Sequence, residues 1–543
     1  MQGLMMDMPL MISSLLVHAD KYHGDAEIVS RRVEDGSIHR YTYRDAHTRA
    51  RRLANALKRL GLKSSERAAT LAWNGFRHFE LYYAVSGSGA VLHTINPRLH
   101  PDQIAWIANH AEDQLMFFDL TFAPIIDAVA AKCPTVKAWI ALTDRAHMPA
   151  MKNAKVLCYE DLVAAESDEF TWPEFDEKSA ACLCYTSGTT GNPKGVLYSH
   201  RSTILHAYAA ALPDGLNLSG RETILPVVPM FHVNAWTLPY VGAMVGAKLV
   251  FPGAQLDGES VCNLFESEGV TFSAGVPTVW LACLQHLQKT GKKPATVKRL
   301  LVGGSACPPA LMHTFDRDYG IRMIHGWGMT EMSPLGTVGN LKGKHDKLPK
   351  DEQMQVCLKQ GRPPYGVDMK IVDPDGKELP RDGKHSGDLL VRGPWIVSSY
   401  FKGDKSPLVD GWFPTGDVAN IDPDGYMQIT DRSKDVIKSG GEWISSIEIE
   451  NIAVGHPDVA EAAVIGVRHP KWDERPLLIV VPKPGRSVTR EEMLDYLKGK
   501  IAKWWMPDDV QFVSEIPHTA TGKIMKTALR EQFNAYRLPT AAE

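Results

Sequence analysis

The sequence lacks the features that mark membrane, secreted and nucleic-acid-binding proteins. It has no apolar run of 18 residues, so no segment is expected to span a bilayer. Its net charge is only −3, from 60 basic and 63 acidic side chains, which argues against bulk binding of nucleic acid or anionic membranes. The first residues, 1–7, contain an acidic residue and no basic n-region, so a secretory signal is not expected.

Cysteine is scarce and has no metal-binding spacing. The chain has 8 cysteines, and Cys182, Cys184 and Cys283 stand among apolar residues, as is typical of small buried side chains in a reducing compartment. Cys182 and Cys184 have no second pair at the spacing of a zinc site. We therefore expect a cytoplasmic protein without a structural metal ion.

Length and periodicity predict a layered α/β protein with more than one domain. The chain has 543 residues, of which 44% are apolar and 23% charged, as in ordinary globular proteins. Apolar residues recur at helical intervals over 43–60, which predicts an amphipathic helix. Apolar runs followed by Gly or Pro turns predict buried strands at 68–72, 248–251, 270–273 and 299–302. This alternation favours an α/β architecture.

The pattern of apolar runs and turns changes in the last third of the sequence. From about Gly366 the runs shorten and turns such as 373–376 and 422–425 appear, which predicts a β subdomain. We place a domain boundary after Asp431, giving domains 1–431 and 432–543. The second, of roughly 110 residues, is long enough for a core of its own. Its predicted elements are strands 460–467, 477–481 and 509–513 and helix 489–498.

The stretch 185–195, Tyr-Thr-Ser-Gly-Thr-Thr-Gly-Asn-Pro-Lys-Gly, predicts a phosphate-binding loop. Its glycines let backbone N–H groups turn toward an anion, its hydroxyls donate to phosphate oxygens, and Lys194 adds a positive charge. The spacing is not that of a Walker A loop, which disfavours a P-loop ATPase. A polar surface turn is the alternative. The predicted contacts to ATP are Thr186, Ser187, Gly188, Thr189, Thr190, Gly191 and Lys194.

Later segments follow this loop in a recognisable order. They are Gly-Trp-Gly-Met-Thr-Glu at 326–331, Trp-Phe-Pro-Thr-Gly-Asp at 412–417, Asp-Arg-Ser-Lys-Asp-Val-Ile-Lys at 431–438 and Thr-Gly-Lys-Ile at 521–524. Together they resemble the motifs of the adenylate-forming superfamily, which includes acyl-CoA synthetases, firefly luciferase and peptide-synthetase adenylation domains. The resemblance runs from about Ile12 to Lys526. It implies a large N-terminal α/β domain with a β subdomain and a small mobile α+β C-terminal domain.

The resemblance also implies ATP, Mg²⁺ and coenzyme A as ligands and assigns roles to single residues. Trp327 would stack on the purine, Thr330 would donate to the α-phosphate, and Glu331 would bind Mg²⁺ together with Thr186. A core aromatic residue and a helix-start carboxylate are the alternatives for Trp327 and Glu331. Further positions implied to line the ATP or AMP site are Gly303, Gly304, Ser305, His325, Gly326, Gly328 and Met329.

The remaining implied roles belong to the segments near the predicted boundary. Asp417 would bind the ribose hydroxyls, Arg432 the ribose and phosphate, and Lys523 would be the catalytic lysine, while Lys526 is expected at the surface. Lys434 is implied as the hinge, with a solvated turn lysine as the alternative. The residues implied to bind coenzyme A are Lys438, Ser439, Gly440, Gly441 and Trp443, with a glycine-rich hairpin as the alternative.

The acyl pocket is predicted from the segment 231–236, Phe-His-Val-Asn-Ala-Trp. It contains no acidic residue, which disfavours an α-amino acid, and His232 and Trp236 suggest an apolar slot with a gate. His232 is also a candidate catalytic residue, and core packing is the alternative for both. The other residues expected to line the pocket are Gly303, Gly328, Met329 and Pro334.

Along its length the chain resembles the bacterial ligases that join 3-methylmercaptopropionate to coenzyme A and the medium-chain acyl-CoA synthetases. We therefore expect an AMP-forming ligase for a short or medium carboxylic acid, with 3-(methylthio)propionate favoured and a medium-chain fatty acid as the alternative. A luciferase-like oxygenase is a more distant alternative. A non-catalytic sensor is disfavoured because Arg432 and Lys523 are both present. A homodimer is possible.

Overall fold

The computed structural model describes residue 1 and residues 3–186, 192–439, 442–519 and 523–542. Helices and strands alternate through the first two thirds of the chain, and antiparallel strands dominate the rest. Within these described ranges, no helix is long and apolar enough to cross a bilayer.

A seven-stranded sheet carries the predicted phosphate loop. Its strands are β3 (Arg67–Leu71), β4 (Val91–Thr94), β5 (Asp113–Phe118), β6 (Ala138–Ala141), β7 (Val156–Cys158), β8 (Ala180–Tyr185) and β9 (Gly195–Ser199). They lie in the order β7-β6-β5-β3-β4-β8-β9, and all pair in parallel except β8 with β9. The antiparallel β8–β9 pair holds both ends of the loop on one edge of the sheet.

An eight-stranded sheet carries the predicted segments 231–236, 303–305 and 326–331. Its strands are β1 (Glu27–Arg31), β2 (Ile38–Thr42), β10 (Thr223–Pro226), β11 (Lys248–Phe251), β12 (Phe272–Gly275), β13 (Arg299–Val302), β14 (Arg322–Gly328) and β15 (Leu335–Val338). The order is β15-β14-β13-β12-β10-β11-β1-β2, with antiparallel strands at the two edges. The predicted strands 248–251 and 299–302 are confirmed.

Strand β12 begins two residues after the predicted start at Val270. The helix before it ends at Gly269, which has φ +66°, and the Val270 N–H donates to the Phe265 carbonyl at 3.1 Å. Val270 therefore closes the C-terminus of a helix before the chain enters the sheet.

Helices fill the space between the two sheets and cover their outer faces. They are α1 (Ile12–His23), α2 (Tyr43–Arg59), α3 (Phe76–Gly87), α4 (Pro101–Ala111), α5 (Ala123–Val129), α6 (Tyr159–Ala164), α7 (His200–Ala211), the left-handed turn α8 (Val233–Trp236), α9 (Leu238–Val245), α10 (Gly258–Glu268), α11 (Pro277–Thr290), α12 (Pro309–Tyr319) and α13 (Lys350–Leu358). Every residue of α3 is buried, because this helix lies in the core shared by the two sheets. The predicted helix 43–60 is α2, and Thr42 and Asp45 form a capping box at its start.

The predicted β subdomain is a four-stranded antiparallel sheet. Its strands are β16 (Asp368–Val372), β17 (Gly387–Arg392), β18 (Phe413–Ile421) and β19 (Met427–Arg432). Both predicted turns form, because Gly376 and Gly425 adopt φ +83° and +85° and their N–H groups donate to Asp373 and Asp422 at 2.9 Å.

The segment after β19 builds a five-stranded sheet with its own apolar cluster. Its elements are β20 (Ile437–Ser439), β21 (Glu442–Ile444), α14 (Ser446–Val454), β22 (Val459–His469), β23 (Asp473–Pro482), α15 (Arg490–Leu497), β24 (Asp509–Phe512) and α16 (Lys526–Gln532). Short 3₁₀ helices occur at Leu120–Phe122, Ala130–Lys132, Arg145–His147, Thr330–Met332, Gly343–Lys347, Lys503–Trp505 and Pro539–Ala542. The predicted types of these elements are correct. β23 begins four residues early because Asp473 pairs with His469 of β22.

Candidate active site

The base of the phosphate loop is closed by hydrogen bonds. The Thr186 N–H donates to the Lys194 carbonyl at 2.9 Å, and the Lys194 N–H donates to the Thr186 hydroxyl at 3.2 Å. The predicted ATP contacts Ser187, Gly188, Thr189, Thr190 and Gly191 lie outside the described residues. The Lys194 ammonium lies 4.8 Å from the centre of the Tyr400 ring, a cation–π contact.

The segment 326–331 continues from β14 into a 3₁₀ turn. Gly328 is required there, because a Cβ atom would collide with the Pro334 carbonyl oxygen. The Thr330 carbonyl accepts a hydrogen bond of 2.6 Å from the buried Tyr198 hydroxyl. Thr330 and Glu331 are therefore held at the end of the strand by contacts to their backbone and side chains.

Tyr400 joins Glu331 to the phosphate loop. Its hydroxyl donates to Glu331 Oε1 at 2.8 Å, and the Glu331 carbonyl accepts from the Val397 N–H at 2.8 Å. The same Tyr400 ring faces Lys194. We did not predict Tyr400 or Tyr198 from the sequence, since neither lies in a segment whose residue types suggested phosphate chemistry.

Trp327, Asp417 and Arg432 form a hydrogen-bonded group. The Trp327 indole N–H donates to Asp417 Oδ2 at 2.9 Å, and Arg432 Nε lies 2.9 Å from Asp417 Oδ1. Asp417 and Arg432 are directly paired across β18 and β19. Burial raises the pKa of the Asp417 carboxyl, and Arg432 and the indole N–H oppose that rise.

Trp327 also belongs to the apolar core of the β subdomain. It is 9% exposed and packs in a cluster with Met332, Met369 and Ile371, and Met329 packs partly against the same cluster. Trp327 is therefore a core aromatic residue, as the alternative prediction stated. Stacking of this indole on a purine stays a prediction.

Lys523 brings a cation from the C-terminal segment to this group. Its backbone N–H and carbonyl both bond Thr519, at 3.1 and 2.7 Å. The pKa of Lys523 falls to about 8, first because the ammonium is buried and then because Arg432 repels it, while Asp417 and Glu331 oppose the fall. The Lys523 ammonium is therefore within electrostatic range of Arg432, Asp417 and Glu331.

The positive charge of Lys523 also acts on the His232 imidazole. The pKa of His232 falls to about 4, mainly through burial and then through repulsion by Lys523 and Arg98. The imidazole is therefore neutral at physiological pH. His232 lines the same narrow cavity as Thr186, so the predicted acyl and phosphate segments meet there.

Trp236 lies against a glycine backbone. A Cβ atom on Gly303 would be 3.2 Å from the edge of the Trp236 indole and 2.9 Å from the Gly326 carbonyl oxygen. Gly304 has φ +83°, and a Cβ atom there would be 4.0 Å from the same indole. The absence of a side chain at Gly303 thus makes room for the indole, whereas at Gly304 the positive φ is what favours glycine.

The other predicted nucleotide and acyl residues differ in their surroundings. Pro334 is buried next to Gly328, and Ser305 is exposed. The His325 side chain is buried and bonds the Leu358 carbonyl at 3.0 Å, and burial lowers its pKa to about 4. This imidazole is engaged in packing against α13.

The predicted coenzyme A segment forms a hairpin. Lys438 is exposed on β20, and the buried Ser439 hydroxyl accepts a hydrogen bond of 3.3 Å from Arg475. Gly440 and Gly441 lie outside the described residues, and for Trp443 only the backbone in β21 is described. The hairpin geometry agrees with the alternative that we kept, and a role in coenzyme A binding stays a prediction.

The prediction that Lys526 lies at the surface is wrong. Lys526 is 8% exposed, and its ammonium lies 2.7 Å from Glu450 and also donates to the Ser446 hydroxyl. Burial alone would lower the pKa of Lys526, but attraction to Glu450 and Asp431 outweighs burial and raises it. Lys434, by contrast, is exposed in a turn after β19.

The mixed α/β fold and two family matches define an adenylate-forming enzyme. The chain matches the AMP-binding enzyme family over residues 16–401 and the AMP-binding enzyme C-terminal domain over 448–523. It is similar in structure to ATP-bound MatB from Rhodopseudomonas palustris, with a TM-score of 0.81 and 26% identity, covering 97% of this chain and 100% of that one.

Two relatives of similar length indicate which adenylate-forming enzymes this chain resembles. The chain is 52% identical to a 3-methylmercaptopropionyl-CoA ligase of Ruegeria lacuscaerulensis, over 98% of this chain and 99% of the relative. It is also 52% identical to a medium-chain-fatty-acid–CoA ligase of Ectopseudomonas oleovorans, over 98% of each. The chain belongs to the AMP-binding enzyme family and is an AMP-forming acid–thiol ligase. The family and fold class predicted from the motifs are confirmed.

The contact between Tyr400 and Glu331 can be tested by removing one oxygen atom. Tyr400→Phe keeps the ring beside Lys194 and loses the hydrogen bond to a carboxylate, which is worth roughly 1.5 to 3 kcal/mol. We expect kcat/KM for ATP–pyrophosphate exchange to fall about 10- to 100-fold. Tyr208→Phe, at a 54% exposed tyrosine, is the matched control. Equal activity of the two variants would exclude the positioning role.

The pH dependence of adenylation should report Lys523. Below pH 8 the ammonium is charged, and the charge is lost as the pH rises through the pKa of about 8. Since kcat/KM reflects the free enzyme, its profile should fall on the alkaline side near that value. Acetylation of Lys523, followed by mass spectrometry across the same pH range, should give the same midpoint. A midpoint near the ordinary lysine value of about 10.4 would contradict it.

Proposed function

We propose that this enzyme is an ATP-dependent acyl-CoA ligase for a short or medium carboxylic acid, with 3-(methylthio)propionate as the favoured substrate. The observation that carries the proposal is the cavity lined by both Thr186 and His232, near the hydrogen-bonded group of Trp327, Asp417 and Arg432 whose charges act on Lys523. A lysine from the C-terminal segment next to both the phosphate and the acyl candidates suits activation of an acid by ATP.

In the first half-reaction a carboxylate oxygen attacks the α-phosphorus of ATP. The bond from that phosphorus to the bridging oxygen breaks, and pyrophosphate leaves with its electron pair. Lys523 would neutralise the negative charge that builds up as the carboxylate approaches the α-phosphate. Thr330 would donate a hydrogen bond to the α-phosphate. Thr186, Lys194 and the intervening loop would hold the other phosphates.

The nucleoside would be held by the Asp417 group. The Asp417 carboxylate would accept hydrogen bonds from the ribose hydroxyls, and Arg432 would contact ribose and phosphate. The observed pairing of Asp417 with Arg432 opposes the rise in pKa that burial causes at this carboxyl. Trp327, which precedes Gly328 on β14, would stack on the purine.

Mg²⁺ fits the residues at the end of β14. Glu331 offers a hard carboxylate oxygen, and Thr186 offers a hydroxyl at the base of the loop. Mg²⁺ commonly binds through one or two protein carboxylates and keeps water and phosphate oxygens as its other ligands. When bound, the ion would supply positive charge to the phosphates of ATP. The Tyr400 hydroxyl would hold the Glu331 carboxylate in place for it.

In the second half-reaction the thiolate of coenzyme A attacks the acyl carbonyl carbon. The bond from that carbon to the phosphate oxygen breaks, and AMP leaves. We propose that the segment after Lys434 turns about this residue between the two steps, so that the hairpin that contains Lys438 and Ser439 replaces Lys523. The exposure of Lys434 in a turn supports a pivot at this position.

The acyl slot would be bounded by His232, Trp236 and Gly303. A neutral imidazole and an indole on a glycine backbone suit an uncharged aliphatic or thioether chain. A thioether sulfur and a methylene group are similar in size, so a pocket separates them weakly. A medium-chain fatty acid is the second candidate, because a relative with 52% identity is named for that activity. A cytoplasmic location and a homodimer remain part of this proposal.

Lys523→Ala should separate the half-reactions. We expect adenylation, measured by ATP–pyrophosphate exchange, to fall by about 100-fold or more, because charge stabilisation at the reacting phosphate is lost. Thioester formation from a supplied acyl-adenylate should change little, because that step does not need this lysine. Equal losses in both measurements would contradict the proposed role.

Pyrophosphate release from a series of straight-chain acids and 3-(methylthio)propionate tests the substrate. Trp236→Ala should move the preference toward longer acids. It should also lower kcat/KM for the acid that the unaltered enzyme prefers, by a factor that corresponds to about 1 to 3 kcal/mol of activation free energy, because an indole contact is lost. The KM for ATP should stay nearly constant. A folded variant with the original preference would place the acyl slot elsewhere, and a thermal melt serves as the folding control.

A further inference from the structure

The segment that carries His232 and Trp236 has an unusual backbone. Every residue from Val233 to Thr237 has a positive φ, with values of 47°, 52°, 48°, 54° and 69° along the chain. None is glycine. This left-handed conformation is unfavourable for L-residues, most for branched and bulky side chains and least for asparagine. The surrounding structure must therefore hold the turn in place.

Asn234 fastens the first part of the turn to the phosphate-loop strand. This side chain is 3% exposed, its Nδ2 donates to Cys182 Sγ at 3.1 Å, and its Oδ1 accepts from Cys184 Sγ at 3.4 Å. Both cysteines lie on β8, and Cys184 Sγ is also 3.4 Å from the Thr94 hydroxyl. The amide thus spans two buried thiols that cannot move without the strand.

Thr237 fastens the other end. Its hydroxyl donates to the Ser333 carbonyl at 3.0 Å, and its N–H donates to the Asn234 carbonyl at 3.0 Å. Within the turn, the Ala235 N–H donates to the Pro229 carbonyl at 3.2 Å. The turn is held from both sheets, and Ala235 and Trp236 lie between the two bonded positions, Asn234 and Thr237.

The direction of the Trp236 side chain follows from this backbone. Side-chain direction is coupled to the local dihedral angles, so a relaxed turn would carry the indole away from Gly303 and Gly304. The indole is only partly buried and packs at the edge of the apolar core, so the turn contributes to its position.

We propose that Asn234 is a positioning residue that determines acyl-chain specificity by clamping this turn to Cys182 and Cys184. The clamp holds the Trp236 indole against the glycine backbone as the wall of the slot and selects short unbranched aliphatic or thioether acids over longer ones. The inference rests on the proposed acyl slot at Trp236.

Asn234→Ala is the direct test. It removes the hydrogen bonds to both thiols and the residue type that best tolerates a positive φ. We expect the KM for 3-(methylthio)propionate to rise about tenfold and the preference to move toward longer acids, while the KM for ATP stays within about twofold. Cys182→Ala, which leaves the turn unchanged in sequence, should move the preference in the same direction by less. Cys283→Ala, at a buried cysteine in a different apolar cluster, is the matched control and should not.

A rescue experiment separates positioning from a general structural role. Ala235→Gly favours the left-handed backbone at the next residue, so adding it to Asn234→Ala should restore most of the original acid preference. A loss that came only from an unsatisfied core would not be restored. If the double variant keeps the altered profile, or the KM values for acid and ATP rise together, the inference is wrong.

The outcome is distinguishable from failure of the proposed slot. If Trp236→Ala leaves the preference unchanged, the slot itself is wrong. If Trp236→Ala changes the preference and a folded Asn234→Ala does not, the slot stands and the clamp is rejected. Should Asn234→Ala not fold, an unchanged preference in Cys182→Ala rejects the clamp and a shifted one supports it.

Discussion

The buried carboxylate of Asp417 is the group on which the site depends. A carboxylate with 3% exposure is unstable without partners, and here the Trp327 indole N–H and the Arg432 guanidinium supply them. Trp327 ends a strand of the large sheet, whereas Asp417 and Arg432 pair within the β subdomain. The hydrogen bonds to this one buried carboxylate therefore join the β subdomain to the large sheet.

Aromatic hydroxyls perform a similar task around the phosphate loop. Tyr198 holds the Thr330 carbonyl, and Tyr400 holds the Glu331 carboxylate while its ring faces Lys194. These donors lie in place before any substrate arrives. Preorganised donors and charges lower the reorganisation that a transition state requires, so these contacts would assist the chemistry that we propose.

Polar contacts join the C-terminal segment to the preceding strand. The Asp431 carboxylate accepts from the Ser446 N–H at 2.7 Å, and Lys526 pairs with Glu450 behind it. The apolar cores on either side are separate clusters. Polar contacts can be exchanged for water more easily than apolar ones, which is consistent with the rotation that we propose.

Local patterns decided what could be predicted from the sequence. The helix α2 and the strands β11 and β13 follow from periodicity and from the turns that bound them. The order of the motifs gave the family, because glycine, hydroxyl and lysine residues at those spacings suit phosphate binding. The predicted start of β12 was wrong by two residues, because the Val270 N–H bonds the end of the preceding helix.

The sequence by itself therefore determined the types of the elements and the family, and it supplied the residues proposed for the site. Only the tertiary structure decided that Lys526 is buried on Glu450, that Tyr400 joins Glu331 to Lys194, and that Asn234 bonds two cysteines of β8. The physical reason is distance along the chain. Periodicity and turn chemistry act over a few residues, whereas these contacts join segments that meet only when the sheets pack.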